Sequence, residues 1–170
     1  VATGEYVFHC DSDDWVELTM LEDLYLAAKE ADADIVWCDW YLSFAQNERY
    51  MRQPEYSHCG DALRGMLSGA MKYNVWNKLI RREIYTKNDI GFPSGHSMGE
   101  DMTIMKLFVK SDKVCYVPKA LYHYVRTNVN AYTQTYSERH LADLRYNVDD
   151  IVSYITVESD LDLHEELNFF

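Results

Sequence analysis

Glu5-Tyr-Val-Phe-His-Cys-Asp-Ser-Asp-Asp14 decides how the rest of the chain is read, because a short apolar run stops abruptly on three carboxylates. A run of this length bounded by a polar turn predicts a buried strand over 5–10. Downstream, Leu18, Leu21, Leu24, Tyr25, Ala28 and Ala31 share one face of a helix over 18–31, with Thr19-x-x-Glu22 as a capping box at its start. Residues 34–44, rich in Ile, Val, Trp and Tyr, predict a second strand. Strand, helix, strand is the βαβ rhythm of a parallel sheet, so the fold class is α/β.

Further along, helices are expected over 60–70, 81–88 and 100–110, and a loop over Gly91-Phe-Pro-Ser-Gly-His-Ser-Met-Gly99. Two short strands, 113–117 and 120–126, flank Pro118. A helix over 138–156 carries Leu141, Leu144, Val148, Ile151, Val152 and Ile155 on one face, and the tail from 160 to 170 adds a last turn or two. No repeat, low-complexity stretch or Pro/Gly-rich linker interrupts the chain.

The 170 residues carry 16 Lys+Arg against 28 Asp+Glu, a formal charge of −12. That balance excludes nucleic acid as a partner held through phosphate charge, and excludes a surface-wide polybasic membrane patch. No apolar run reaches the roughly 18–20 residues of a membrane helix. Cys10, Cys38, Cys59 and Cys115 have no CxxC or zinc-like spacing. Buried reduced thiols are expected, and with them a cytoplasmic location.

Two sites carry chemistry. Asp11-Ser-Asp-Asp14 lies beyond a strand end, where open α/β sheets bind ligands, and a hard cation is met by one or two such carboxylates plus substrate phosphate oxygens. The same residues also make an ordinary acidic turn and helix cap. Glu100-Asp101 opens a helix, where the macrodipole favours acidic residues whatever their use; the functional alternative is a general base beside a glycine-flanked loop. Trp15, Trp37, Trp40 and Trp76 are expected mainly in the core, with sugar stacking as the other use. His58, His140 and His164 show no ligand spacing, His9 is expected beneath the acidic turn, and Lys78-Leu-Ile-Arg-Arg82 reads as a helix start.

Residues 2–16, Ala-Asp-Ala-Asp-Ile-Val ending at Val36, Asn77-Lys-Leu-Ile-Arg-Arg-Glu-Ile-Tyr85, Phe92-Pro-Ser-Gly-His96, Gly99-Glu-Asp101 and Leu121-Tyr-His-Tyr-Val-Arg126 form an ordered set. Together they resemble bacterial family 2 glycosyltransferases of the GT-A fold. The resemblance spans about residues 2–135 and implies a partial GT-A sheet flanked by helices, followed by a helical extension over 136–170. It implies inverting transfer of a sugar from a nucleotide diphosphate sugar to a hydroxyl of a glycan or lipid-linked acceptor in polysaccharide biosynthesis. Asp13 and Asp11 would hold Mn²⁺ or Mg²⁺ on the donor diphosphate, and Asp101 would be the catalytic base. Lys78, His123 and Arg126 would contact the diphosphate; Glu100 and His96 would lie on the acceptor side.

Family members carry an additional N-terminal stretch that forms the base pocket, whereas only Val1-Ala-Thr-Gly precedes the first strand here. The expectation is therefore a fragment whose exposed strand edge drives homodimerisation, at the inner face of the membrane if its acceptor is lipid-linked. The alternative is a catalytically silent or oligomerising module that keeps the fold. A metal-dependent phosphohydrolase using Asp11 and Asp13 is a third reading, which leaves Glu100-Asp101 and the Arg126 region without a role.

Overall fold

A computed structural model describes residues 2–97, 99–127 and 137–170, and for Asp101 the backbone alone. In chain order the elements are β1 (Tyr6–Phe8), β2 (Trp15–Val16), α1 (Met20–Glu30), β3 (Ile35–Ser43), β4 (Glu48–Met51) and α2 (Cys59–Leu67). They continue with β5 (Lys78–Arg81), α3 (Arg82–Lys87), α4 (Glu100–Val109), β6 (Val114–Val125), α5 (Glu138–Glu158) and α6 (His164–Phe169). The sheet runs β1-β5-β3-β6-β2, with β4 paired to β3 off that path.

The expected all-parallel βαβ arrangement is corrected. β1 and β3 share a direction, but β5 lies antiparallel between them, and β3–β6 is the parallel pair. The stretch that looked like a helix start is therefore a strand. Its period is two: Leu79 packs into the cluster beneath α1, and Ile80 into the cluster of α2 and α4 on the opposite face. β6 is one strand rather than two. Its register against β3 moves from Cys38↔Val117 to Asp39↔Ala120 and then Trp40↔Tyr122, and this bulge absorbs Pro118, which has no N–H for the ladder.

Two helices bury stripes other than those expected. In α1 the buried row is Met20, Leu24 and Ala28, whereas Leu18, Leu21 and Tyr25 are exposed. No capping box forms, since the Thr19 hydroxyl donates to Asp23 Oδ2 and caps no backbone N–H. In α5 the buried row is Asp143, Asn147, Ile151 and Ile155, while Leu141 and Leu144 face water. The row begins with two polar residues because the first turns of α5 receive a loop rather than a hydrophobic neighbour. Ile151 and Ile155 reach the α2/α4 core, where a buried aliphatic side chain contributes roughly 1.5–3 kcal/mol. Leu163, just before α6, joins the same core. Cys38 and Cys59 are buried, but Cys10 is exposed, because β1 ends two residues before it. Among the described residues no helix is long and apolar enough to cross a membrane.

Candidate functional site

The acidic turn is bolted to the carboxyl end of β6. Asp14 N–H donates to Asp11 C=O at 3.2 Å, closing the turn. The Tyr122 hydroxyl accepts from Asp11 N–H at 3.1 Å and donates to Asp14 Oδ2 at 2.7 Å. Asp14 Oδ1 accepts from Val125 N–H at 2.7 Å. Both oxygens of Asp14 are thus engaged inside the protein, while Asp11 and Asp13 remain at the surface. Sequence reasoning grouped the three carboxylates and missed Tyr122. The available signal was a third aspartate where two suffice for a cation.

The Asp11 carboxyl titrates above its usual range, first because it has lost hydration and then because Asp14, Asp13 and Glu100 crowd it with like charge. Asp14 is raised as well, chiefly by burial, against the opposing pull of the Val125 N–H and the Tyr122 hydroxyl. The influence of Glu100 on Asp11 brings the first turn of α4 into electrostatic range of the acidic turn.

The loop before α4 is held at both ends. Phe92 meets the His9 ring edge-on at 5.1 Å, and His9 Nε2 lies 3.2 Å from the Tyr85 hydroxyl. Burial pushes the His9 imidazole below its ordinary pKa, and its ring contacts are Tyr85 and Phe92. Gly95 turns the loop with φ +82°. Ser97 then donates to Asp143 Oδ2 from both its N–H (3.1 Å) and its hydroxyl (2.6 Å). His96 Nδ1 lies 3.1 Å from Asp143 Oδ1, and its ring stacks on Tyr146 at 3.7 Å. Asn147 Nδ2 donates to Ser97 C=O. The Ser97 hydroxyl first, then its N–H and His96, hold the Asp143 carboxyl down at about 2.

Gly99 sits where Pro93 and Asn147 close on the helix start. A Cβ there would run into Pro93 Cγ, with Pro93 Cδ at 2.9 Å and Asn147 Oδ1 at 3.0 Å. Glycine precedes Glu100-Asp101 because nothing larger fits. The backbone of Asp101 lies in the first turn of α4; its side chain lies outside the described residues.

Of the three basic groups expected on a diphosphate, one stays at the surface: the Arg126 guanidinium, which lies over the Tyr124 ring at 5.8 Å. Arg126 follows Val125, is exposed, and donates its N–H to Ser43 C=O. Lys78 is corrected: it is fully buried, and its ammonium donates to the carbonyls of Lys72 and Asn74 and to Asn77 Oδ1. His123 is corrected too. It is 2% exposed, with Nε2 3.1 Å from Glu17 Oε1 and Nδ1 2.8 Å from Glu48 Oε1. Both side chains spend their polar atoms holding loops and strands together.

Among the described residues no three His, Cys, Asp or Glu side chains form a metal-holding group. The donor set still fits a hard divalent cation bound jointly with a substrate. Asp11 and Asp13 offer two surface carboxylates, phosphate oxygens and water complete such a shell, and added positive charge relieves the crowding felt by Asp11.

Residues 1–104 match the family model described as glycosyl transferase family 2. The cholesterol galactosyltransferase of Borreliella burgdorferi is 36% identical over 136 residues, covering 71% of this chain and 37% of the relative. Glycosyltransferase GlyG of Streptococcus pneumoniae is 28% identical over 138 residues, covering 74% and 45%. The chain thus spans less than half the length of these curated relatives. Among solved structures, S. aureus TarS residues 1–349 in complex with UDP-GlcNAc superposes with TM-score 0.74 at 20% identity, covering 97% of this chain and 46% of that one. At that identity the likeness is one of fold, and the mixed sheet with its flanking helices is part of the GT-A fold.

Proposed function

The chain belongs to glycosyl transferase family 2, and from that premise we propose that it carries the metal and acceptor side of an inverting sugar transfer from a nucleotide diphosphate sugar to a glycan or lipid-linked hydroxyl. The supporting observation is the convergence at one end of the sheet of Asp11, Asp13, Glu100 and the first turn of α4, with Arg126 one residue from the Asp14–Val125 bond.

In this reading Asp13 and Asp11 hold Mn²⁺ or Mg²⁺, which when bound supplies Lewis-acid stabilisation to the departing diphosphate. Tyr122 and Asp14 fix the turn that presents those two carboxylates. Arg126 adds a bidentate donor for phosphate oxygens. Asp101, in the first turn of α4, takes the proton of the acceptor hydroxyl as that oxygen bonds to the anomeric carbon. The bond from that carbon to the diphosphate oxygen breaks, and its electron pair leaves with the nucleotide diphosphate. One displacement inverts the centre. Positioned proton transfer contributes about 10²–10⁴-fold. His96 and Glu100 line the acceptor side. UDP-GlcNAc, the ligand of the TarS structure, is the first donor to try. A cytoplasmic site at the inner membrane face, and pairing of two copies through the sheet edge formed by β1, belong to the same reading.

The test is calorimetric titration of the chain with UDP-GlcNAc and with UDP, each with and without Mn²⁺, for the wild type and Asp13→Ala. Mn²⁺-dependent binding that disappears in Asp13→Ala, with circular dichroism unchanged, is the expected result. Equal affinity in the variant overturns the metal assignment. Absence of any nucleotide binding by the wild type favours the catalytically silent module, a reading to which the internal use of Lys78 and His123 lends weight.

A further inference from the structure

Trp15 follows the acidic turn directly, yet it is the tryptophan that does not enter the core: it is 49% exposed, against 0–7% for Trp37, Trp40 and Trp76. Its position is nonetheless rigid. β2 pairs with β6 so that Trp15 stands opposite His123, and the two rings stack with centroids 3.4 Å apart and planes 11° from parallel. Tyr41, from the strand on the other side of β6, stacks on the same imidazole at 4.9 Å. His123 is tied at both nitrogens by Glu17 and Glu48, and Glu48 Oε1 also accepts from the Ser43 hydroxyl. The indole therefore lies flat on a fixed support and turns its other face to water.

The rim of this plate is acidic. Glu17 and Glu48 each give one oxygen to His123, their side chains are 46% and 38% exposed, and among the described residues the second oxygen of each takes no hydrogen bond. A pre-oriented apolar face loses little entropy when it is covered, which is what makes an ordered aromatic a good binding surface. An apolar plate ringed by carboxylate acceptors complements a pyranose, whose C–H face stacks while its hydroxyls donate outward. The same carboxylates repel phosphate, so this is no place for the donor's diphosphate.

We infer that Trp15, with Glu17 and Glu48 at its rim, is a binding site for a neutral pyranose, which on the transferase reading is a sugar of the acceptor. It lies beside the carboxyl ends of the parallel pair β3 and β6, where α/β sheets receive ligands.

The experiment titrates the full chain, free of nucleotide and metal, with methyl β-D-glucopyranoside, methyl β-D-galactopyranoside and the methyl glycoside of N-acetylglucosamine. The Trp15 indole N–H signal is followed by NMR, together with saturation transfer to the sugar ring hydrogens. At least one glycoside should shift that signal and receive saturation. Trp15→Ala should abolish the transfer, and Trp15→Phe, which keeps an aromatic plate and guards against a folding artefact, should retain it with a several-fold weaker affinity. Absence of any response to all three sugars overturns the inference, as does a Trp15 response to choline or trimethyllysine alone. UDP binding with Mn²⁺, measured separately on the wild type, keeps the two readings apart. Sugar binding without UDP binding refutes the donor assignment, and UDP binding without sugar binding refutes the platform.

Discussion

Replacing Gly99 by alanine tests whether the loop before Glu100 is set by steric closure. The added methyl would overlap Pro93 Cγ and press on Pro93 Cδ and Asn147 Oδ1. A proline ring cannot rotate aside, so relief requires the 91–97 backbone to move, and that backbone is held by Asp143 and Asn147. Overpacking of this kind costs about 1–3 kcal/mol, whereas the reduced freedom of the unfolded chain returns roughly 0.4–1 kcal/mol. The net loss is then about 1–2 kcal/mol, a fall of roughly 2–8 °C in Tm for a chain of this size. Gly91→Ala is the control: a Cβ there meets nothing within 4 Å, and its effect should stay within about 0.5 kcal/mol. Thermal denaturation gives the stabilities, and hydrogen exchange at the Ser97 amide reports the loop. Equal melting temperatures for the two variants, with unchanged exchange at Ser97, would falsify the closure argument.

In a protein that joins this chain to the N-terminal stretch of a family member, Asp101→Asn keeps the size of the side chain but removes the proton acceptor, so transfer should fall by about 10²–10⁴-fold with donor affinity unchanged; normal turnover eliminates Asp101 as the base. Tyr122→Phe deletes the hydroxyl shared by Asp11 N–H and Asp14, and a hydrogen bond to a charged group is worth about 1.5–3 kcal/mol. Urea denaturation should show that loss, accompanied by weaker Mn²⁺-dependent UDP binding, and a variant as stable as the wild type contradicts the bolted turn. Asp143 is held at about 2 against an ordinary 3.8, so its stabilisation is present above the ordinary value and is lost as pH falls toward 2. Denaturation midpoints at pH 5, 4, 3 and 2 should therefore drop more steeply for the wild type than for Asp143→Asn, and parallel curves refute the assignment.

β3 was legible because every residue from Ile35 to Trp40 is buried between two layers, and four apolar residues in a row, Ile35 to Cys38, read as a strand in any register, although Asp39 is buried among them. β5 was not, because Lys78 and Arg81 bracket only two apolar residues, too few for a period to emerge. The stripe of α5 misled for a different reason: Leu141 and Leu144 supply the hydrophobicity at its start, yet the neighbour there is a loop whose amide, hydroxyl and imidazole are met by Asp143 and whose Ser97 carbonyl accepts from Asn147. At the site, the acidic turn and the Gly99-Glu100-Asp101 segment could be read from composition and order. The inward uses of Lys78 and His123 could not, since a buried ammonium or imidazole is recognised by the carbonyls and carboxylates that the fold gathers around it.

The clasp between the 91–97 loop and α5 has a consequence for recombination among relatives. Residues 1–104 carry the family match, but the side chains that set the loop's shape, Asp143, Tyr146 and Asn147, come from a helix some forty residues later. A chimera joined between α4 and α5 would pair a loop with a helix that never evolved to hold it. Swaps should then succeed only when Asp143, Tyr146 and Asn147 travel with the Pro93–Gly99 segment, so that the loop and the helix are inherited as one unit although the chain separates them.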